Sequence, residues 1–299
     1  MLRTELFNKA DRVIKVGFLM NALLMGFKLA AGHFGHSDAV FADGVESGCD
    51  FVAVGMTLAA LKVGRKPFDE DHPYGHGKVE SLAAIFVSIV IFGSGAWVLY
   101  DAVSAVRSGS YQSPAFLAVF AAAATIVIKE ALYRYSIRVG GDLGSPALMA
   151  VAKDHRKDAI TSIATLTGVG CAYFGLGIMD PIAAGLTSFF IFHIGYQTFR
   201  SSAHDLMDGL PQQEEVSAIA RLADSIEGVD QVHEIRARRS GQYLIVDLKL
   251  DMDPEMTVKR SHEIATEVKR RIFESFPHVG DVMIHINPSD EPHEDLIRL

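Results

Sequence analysis

Five carboxylates lie inside otherwise apolar stretches of this sequence. Asp43, Glu46 and Asp50 are spaced i, i+3 and i+7, and Asp154 and Asp158 are spaced i and i+4, so each group falls on one face of a helix. A charge at the centre of a membrane-spanning helix costs about 2.5–3.5 kcal/mol on an insertion scale, so these groups need compensation. A divalent cation held between two helices by Glu46, Asp50, Asp154 and Asp158 would supply it, with Asp43 on the same pathway.

A purely structural role is the alternative for these acids. Asp43 would then cap a turn, and three basic side chains near the cytoplasmic boundary would neutralise the others: Lys153, Arg156 and Lys157. Lys28 and Lys129, in other apolar stretches, are either charge partners of the acids or lysines whose ammonium groups reach the membrane surface. The sequence leaves that choice open, but carboxylate pairs on two separate stretches favour the cation site.

The donor chemistry of this candidate site bears on its substrate. Four carboxylates form an all-oxygen set, which Fe2+ and Mn2+ accept more readily than Zn2+, so Fe2+ or Mn2+ is favoured and Zn2+ stays an alternative. In an empty site, like charges and lost hydration disfavour full ionisation, so about one or two protons are expected there. A dication has to displace them, because ligating oxygens must be deprotonated. Alternating exposure of the site would therefore exchange metal for protons.

A second group of ligand-type residues lies in the polar segment 66–78, with the sequence KPFDEDHPYGHGK. Asp69, His72 and His76 offer one carboxylate and two imidazoles within eight residues, a plausible ligand set for a transition metal. The glycines of the segment allow the backbone to bend around such a site. No nucleophile motif or HExxH accompanies these residues, so an enzyme is not expected.

Six apolar stretches must position these groups, each with about the 20 residues that a bilayer span requires. They are Ile14–Phe34, Ala39–Leu61, Leu82–Val103, Pro114–Leu132, Ser145–Ile178 and Pro181–Phe199. Hydropathy alone could miss the second and the fifth, which polar residues interrupt. Basic residues concentrate before the first stretch, in alternate connections and after the sixth, so the positive-inside rule places both termini in the cytoplasm.

The charge distribution indicates a membrane part followed by a soluble domain. The chain has 36 acidic and 28 basic residues, and the acidic excess falls in its last third. The acidic balance argues against nucleic-acid binding. In the last third the pattern predicts helix Gln212–Ile226, strands Val232–Arg238 and Leu244–Met252, helix Thr257–Phe276 and strand Asp281–Ile286, with Val258, Ala265, Val268 and Ile272 on the apolar face of the second helix.

The predicted fold class is thus a membrane all-α bundle of six transmembrane helices followed by a cytoplasmic α+β domain. The order αββαβ suggests a two-layer, ferredoxin-like sandwich. The predicted boundaries are 1–208 for the transmembrane transport domain, 209–290 for the cytoplasmic metal-sensing and dimerisation domain, and 291–299 for a flexible tail.

The string HPYGHGKVE, following a carboxylate-bearing second span, resembles the cation diffusion facilitator family, and the resemblance covers nearly the whole chain. It implies a homodimeric exporter of divalent metal ions rather than an enzyme, with metal/proton antiport across a lipid bilayer. It assigns the four carboxylates above to the transport site and the three loop residues to a loop site. It also implies a dimer charge pair, Lys78 with Asp208, and cytoplasmic metal ligands at His233, Asp247, His262 and His285.

This sequence departs from the family pattern at some ligand positions, which narrows the expected metal and the expected number of cytoplasmic metal ions. Zinc exporters typically have His among the four membrane ligands, whereas here all four are carboxylates. Lys249 and Asn287 stand at two cytoplasmic positions where ligands are expected, so a two-metal cluster is not expected. The sparser arrangement of Asp247 with His285, and His262 further off, resembles the magnetosome-membrane branch of the family (the MamB and MamM types), as does GSPALMAVAKDHRKDAITS.

Three expectations follow from the resemblance. The protein is expected in the bacterial inner membrane or a magnetosome membrane, and a hetero-partner of the same family is a further possibility. The alternative function is a metal-sensing membrane scaffold without significant transport.

Overall fold

The computed structural model describes residues 2–109, 111–143 and 145–290. Six long helices come first in the chain: α1 (Leu2–Phe34), α2 (Asp38–Gly64), α3 (Val79–Ser108), α4 (Phe116–Leu143), α5 (Pro146–Tyr173) and α6 (Met179–Leu206). A helix of 27 residues is about 40 Å long, which exceeds the roughly 30 Å hydrocarbon core of a bilayer. Each helix can therefore cross a membrane and extend beyond it.

Four of these helices are apolar enough to count as membrane spans by length and composition: Arg12–Phe34, Asp38–Gly64, Val79–Ser108 and Phe116–Asp142. The second span meets these criteria, although hydropathy was expected to miss it, whereas the fifth helix, as expected, and also the sixth do not. Large apolar side chains on the six helices point outward, among them Phe18, Phe86 and Phe189, whereas many buried positions are alanines. This distribution is typical of helices that face lipid and pack closely against one another.

The beginning of α2 is fixed by a carboxylate from α6. Asp180 Oδ1 accepts a hydrogen bond from Ser37 Oγ (2.6 Å), and Asp180 Oδ2 accepts one from the backbone N–H of Asp38 (2.5 Å). Asp180 is only 2% exposed, so it satisfies the free N–H groups of a helix start away from water. This contact sets where α2 begins and hence the face on which its acidic residues lie.

The rest of the chain forms an αββαβ domain of two layers: α7 (Gln213–Asp224), β1 (Gln231–Ser240), β2 (Tyr243–Met252), α8 (Val258–Ser275) and β3 (Val279–Pro288). The strand order is β1-β2-β3, with β1 antiparallel and β3 parallel to the central β2. The core lies between the helices and one face of the sheet, where Ile219, Val268 and Ile272 pack against Val246 and Leu250. The predicted flexible tail, 291–299, lies outside the described residues.

The chain divides into two compact units, residues 1–55 with 86–198 and residues 56–85 with 199–299. The second unit joins the loop between α2 and α3 to the αββαβ domain. The Tyr74 ring lies 5.6 Å from the Arg238 guanidinium, and Gly77 lies directly against the backbone of Ser240 at the β1–β2 turn. The loop that carries Asp69, His72 and His76 therefore packs on the β1–β2 hairpin.

We expect Gly77→Ala to destabilise this contact. A Cβ at Gly77 would lie 2.4 Å from the carbonyl oxygen of Ser240, so the loop and the hairpin would have to move apart. Overpacking of this kind costs about 1–3 kcal/mol. The melting temperature of the purified full-length chain in detergent should fall. Gly93→Ala, where an added Cβ meets nothing within 4 Å, is the control. Equal melting temperatures for the two variants would contradict the expected contact.

Candidate metal sites

The helices α1, α2, α4 and α5 enclose two ion pairs in the interior of the first unit. In the first pair, Lys28 Nζ donates to Asp43 Oδ1 (2.9 Å) and to Ser47 Oγ (3.0 Å), and Ser162 Oγ donates to Asp43 Oδ2 (3.2 Å). Lys28 is 1% exposed and Asp43 4% exposed. Asp43 is thus a charge partner that connects α1, α2 and α5, and it does not cap a turn.

The second pair joins α4 to α5. Lys129 Nζ donates to Asp158 Oδ2 (2.6 Å) and to Asn21 Oδ1 of α1 (2.9 Å). Lys129 is 4% exposed. Both lysines that the sequence left as either charge partners or surface-reaching groups are therefore charge partners, Lys28 of the buried Asp43 and Lys129 of the partly exposed Asp158.

A small cavity of about 70 Å³ lies beside the second pair. Its polar lining comes from Asn21, Ser47, Asp50, Lys129 and Asp158, and its apolar lining from Phe18, Phe51 and Val54. The atoms of this lining able to bind a metal are oxygens: two carboxylates, a hydroxyl and an amide carbonyl. Such a set suits a hard or borderline divalent cation.

The four carboxylates predicted for the transport site are placed differently in the structure. Asp50 and Asp158 line the cavity, and Glu46, which is buried, interacts electrostatically with both of them. Asp154 is exposed on α5 and is not part of the lining. Among the described residues, these carboxylates do not form a compact group of three or more ligand atoms, whereas the loop residues do. An ion bound by all four would require α2 and α5 to adjust.

Sequence reasoning left two roles open for the two lysines and did not identify Asn21. A charged residue in a membrane span is a functional candidate by default, so the signal for the lysines was present. Their partners depend on how three helices pack, which the periodicity of one sequence does not contain. Of the basic residues at the boundary, Arg156 pairs with Glu130 of α4. Lys157 interacts electrostatically with Asp50, as the structural alternative supposed.

Asp69, His72 and His76 lie together in the loop between α2 and α3. Their ligand atoms fall within 4.8 Å of one another. Asp69 Oδ1 lies 3.2 Å from His72 Nδ1, and Asp69 Oδ2 lies 3.3 Å from His76 Nε2. The positive φ of Gly75 (80°) allows the turn that brings the two imidazoles close, with ring centroids 4.5 Å apart.

Contacts within the loop orient two of these side chains. His76 Nδ1 lies 3.2 Å from the carbonyl oxygen of Pro67, and a proton donated there would leave Nε2, beside Asp69, as the nitrogen able to bind a metal. The backbone N–H of His72 donates to Asp69 Oδ1 (2.8 Å). That hydrogen bond, with one from the His72 side chain, holds the pKa of the Asp69 carboxyl below its ordinary value, so the carboxylate stays ionised.

The cytoplasmic candidates are spread over both layers of the αββαβ domain. Asp247 and His285 lie on the face of the sheet opposite the core, and His233 Nδ1, on the edge strand, lies 3.4 Å from Asp251 Oδ2. His262 is exposed on α8, in the other layer. Within the described part of one chain, these four residues do not form a compact ligand group.

Lys249 lies two residues after Asp247 on β2, on the same face of the sheet. It is the direct neighbour of His285 across β2 and β3, and its Nζ lies 2.7 Å from Glu234 Oε2. Hydrogen bonds from Lys249 and then Arg236 lower the pKa of Glu234. A cation at this position disfavours a second metal ion nearby.

Lys78 and Asp208, the predicted dimer charge pair, are in contact within one chain. Lys78 Nζ donates to Asp208 Oδ1 at 2.8 Å, and both side chains are about half exposed. Asp208 has a positive φ of 56°, at the point where the chain leaves α6.

Comparison with known proteins places this arrangement in a family. The model of the cation efflux transmembrane domain matches residues 14–207, and the model of the cation efflux protein cytoplasmic domain matches residues 211–289. The chain is 35% identical over 284 residues to the manganese efflux system protein MneP of Bacillus subtilis, covering 93% of this chain and 95% of that protein. It is 33% identical over 279 residues to the magnetosome protein MamB of Paramagnetospirillum magneticum, covering 93% and 94%.

A second Bacillus subtilis relative, the manganese efflux system protein MneS, is 32% identical over 292 residues and covers 97% of this chain and all of its own length. The two family models together account for both the six-helix part and the αββαβ domain. The protein is a membrane transporter and not an enzyme, and the chain belongs to the cation diffusion facilitator family of cation efflux proteins.

Proposed function

We propose that this protein exports Mn2+ or Fe2+ in exchange for protons, through a transport site formed by Glu46, Asp50, Asp154 and Asp158. The observation that carries the proposal is the cavity beside Asp50 and Asp158, which offers oxygen ligands from α1, α2 and α5 within the helix bundle. Asp154 would join the site through a rotation or shift of α5, since it lies one turn before Asp158 on the same face.

The choice of metal rests on donor chemistry and on the relatives. Oxygen donors favour Mn2+ and Fe2+ over Zn2+, which prefers nitrogen and sulfur. Two of the similar proteins are named manganese efflux proteins, which supports Mn2+ as the substrate here. Zn2+ remains the competitor to be tested, because most sites bind it more tightly than Mn2+.

Proton exchange follows from the electrostatics of the site. Carboxylates that face one another away from water cannot all stay ionised without a cation, and a metal ion binds only to the deprotonated form. The site would then bind metal when it is open to one side of the membrane, and its carboxylates would be protonated when it is open to the other side. Asp43 would influence the same pathway through its contact with Ser162 on α5.

We assign the remaining candidates to regulation and assembly of a homodimer. The Lys78–Asp208 pair would fix the segment between α6 and the αββαβ domain. His233, Asp247, His262 and His285 would bind metal between two copies rather than within one, because they lie in different layers of a single domain. Either the bacterial inner membrane or a magnetosome membrane fits this function.

Asp50→Asn and Asp158→Asn should each abolish Mn2+ flux into proteoliposomes driven by a proton gradient. Each removes an ionised ligand from the cavity, so the loss should exceed the roughly 10–100-fold cost of losing an outer-shell partner. Flux of Mn2+, Fe2+ and Zn2+ is measured in parallel, and acidification or alkalinisation of the lumen reports proton exchange.

The matched control for these variants is Asp142→Asn, which removes an exposed carboxylate at the end of α4 that does not line the cavity. Wild-type flux in both cavity variants would remove the proposed site. A wild-type chain that binds metal but transports none would favour the metal-sensing scaffold.

His72→Ala and His76→Ala should each lower the metal bound per purified full-length chain by about one ion, because each removes one of three ligands. Binding at the loop should also weaken in acid, because protons compete with the metal for its ligand atoms. The pKa of the Asp69 carboxyl is held below its ordinary value, so Asp69 should lose its charge only at a lower pH than an ordinary aspartate. Equilibrium dialysis with elemental analysis measures both effects.

Asp71→Asn is the control for the loop, because Asp71 is an exposed carboxylate of the same segment outside the three-residue group. Unchanged metal content in both histidine variants would contradict a loop site.

A further inference from the structure

Lys129 is a buried cation at the wall of the cavity, and the export function alone does not require it. It lies in α4, an apolar span, and is 4% exposed. An ammonium group in such a place is retained only where a partner stabilises it. Its contacts are with Asp158 Oδ2 at 2.6 Å and Asn21 Oδ1 at 2.9 Å, both of which belong to side chains that line the cavity.

The other buried lysine makes an instructive comparison. The side chains of Lys28 and Asp43 are 2% and 6% exposed, and two serine hydroxyls complete their network. The Asp158 side chain is 31% exposed, although that of Lys129 is only 5% exposed. The Lys28 pair is thus closed on all sides, whereas the Asp158 carboxylate can be reached from the cavity.

A divalent ion bound to Asp158 would lie close to Lys129 Nζ. Metal–oxygen bonds to hard cations are about 2.0–2.6 Å long, so ion and ammonium would share one carboxylate at very short separation. Two cations at such a distance repel strongly away from bulk water. The two are therefore alternative partners of Asp158. Asn21 Oδ1 gives the ammonium a second acceptor that it can keep when Asp158 turns to the ion.

We propose that Lys129 is a resident counter-cation of the transport site, which neutralises Asp158 while the site is empty and is displaced from it by the arriving metal ion. This inference rests on the proposed function. It makes Lys129 a positioning residue that weakens metal binding and thereby favours release of the ion. A protein without this ammonium should hold Mn2+ more tightly and turn over more slowly.

The test is the KM and kcat of Mn2+ flux in proteoliposomes for full-length Lys129→Met and Lys129→Arg. Lys129→Met removes the competing charge at similar length, so the KM should fall by roughly 5–150-fold, the range typical of coupling between two binding events, and kcat should fall with it. Lys129→Arg keeps a cation beside Asp158 and should keep a KM near that of the wild type. Lys269→Met, which removes an ammonium paired with Asp281 in the αββαβ domain, is the matched control and should change neither value.

A purely structural role for Lys129 gives another result, because loosening the packing of α4 on α5 lowers kcat with a KM that is unchanged or raised. That outcome for Lys129→Met overturns the proposal. If Lys129→Met does not fold, Lys129→Gln, an uncharged hydrogen-bond donor, supplies the same comparison. Failure of the proposed function looks different: wild-type flux is absent, or it is unaffected by Asp158→Asn.

Discussion

The structure depends on the pairing of charges that have been removed from water. A carboxyl group in an apolar helix bundle is tolerated either ionised beside a cation or in its neutral, protonated form. The described helices provide an ammonium group for two of the acids, Asp43 and Asp158. Each pair joins residues on different helices. The pairs therefore fix the packing of α1, α2, α4 and α5, and they also decide which carboxylates remain for an ion.

The Lys28–Asp43 and Lys129–Asp158 pairs differ in how far they are exposed. Lys28 and Asp43 are closed off by Ser47 and Ser162, so breaking their pair would leave a buried charge with nothing to replace the lost partner. Asp158 lies at a cavity, where a metal ion can take the place of the lysine. The first pair thus joins the helices in the interior, and the second pair lies at the proposed transport site.

The sequence predicted the fold class because helical spacing and charge distribution are local signals, and the αββαβ order is read in the same way. Prediction from the sequence failed for residues whose surroundings depend on how the helices pack against one another. The sequence placed Val258 on the apolar face of α8. Val258 is the first residue of that helix and is 85% exposed, whereas Ile264 is buried in the core. Asp154 and Asp158 share a helix face, yet only Asp158 lines the cavity and Asp154 is exposed, because the packing of the neighbouring helices encloses only part of that face. The partner of Lys129 could not be read from spacing either, since it lies on another helix.

The cavity and the loop differ in donor chemistry, so the metal found at one site does not identify the metal bound at the other. The cavity offers oxygen atoms, whereas the loop offers two imidazole nitrogens with one carboxylate. Nitrogen-rich sets favour Zn2+ and other late transition metals, so an ion found at the loop would not identify the ion that is transported. The loop nevertheless packs on the β1–β2 hairpin through Gly77 and Ser240, so an ion bound there would stiffen the connection to the αββαβ domain. The substrate must therefore be established by flux that depends on Asp50 and Asp158, because total metal content would include any ion bound at the loop.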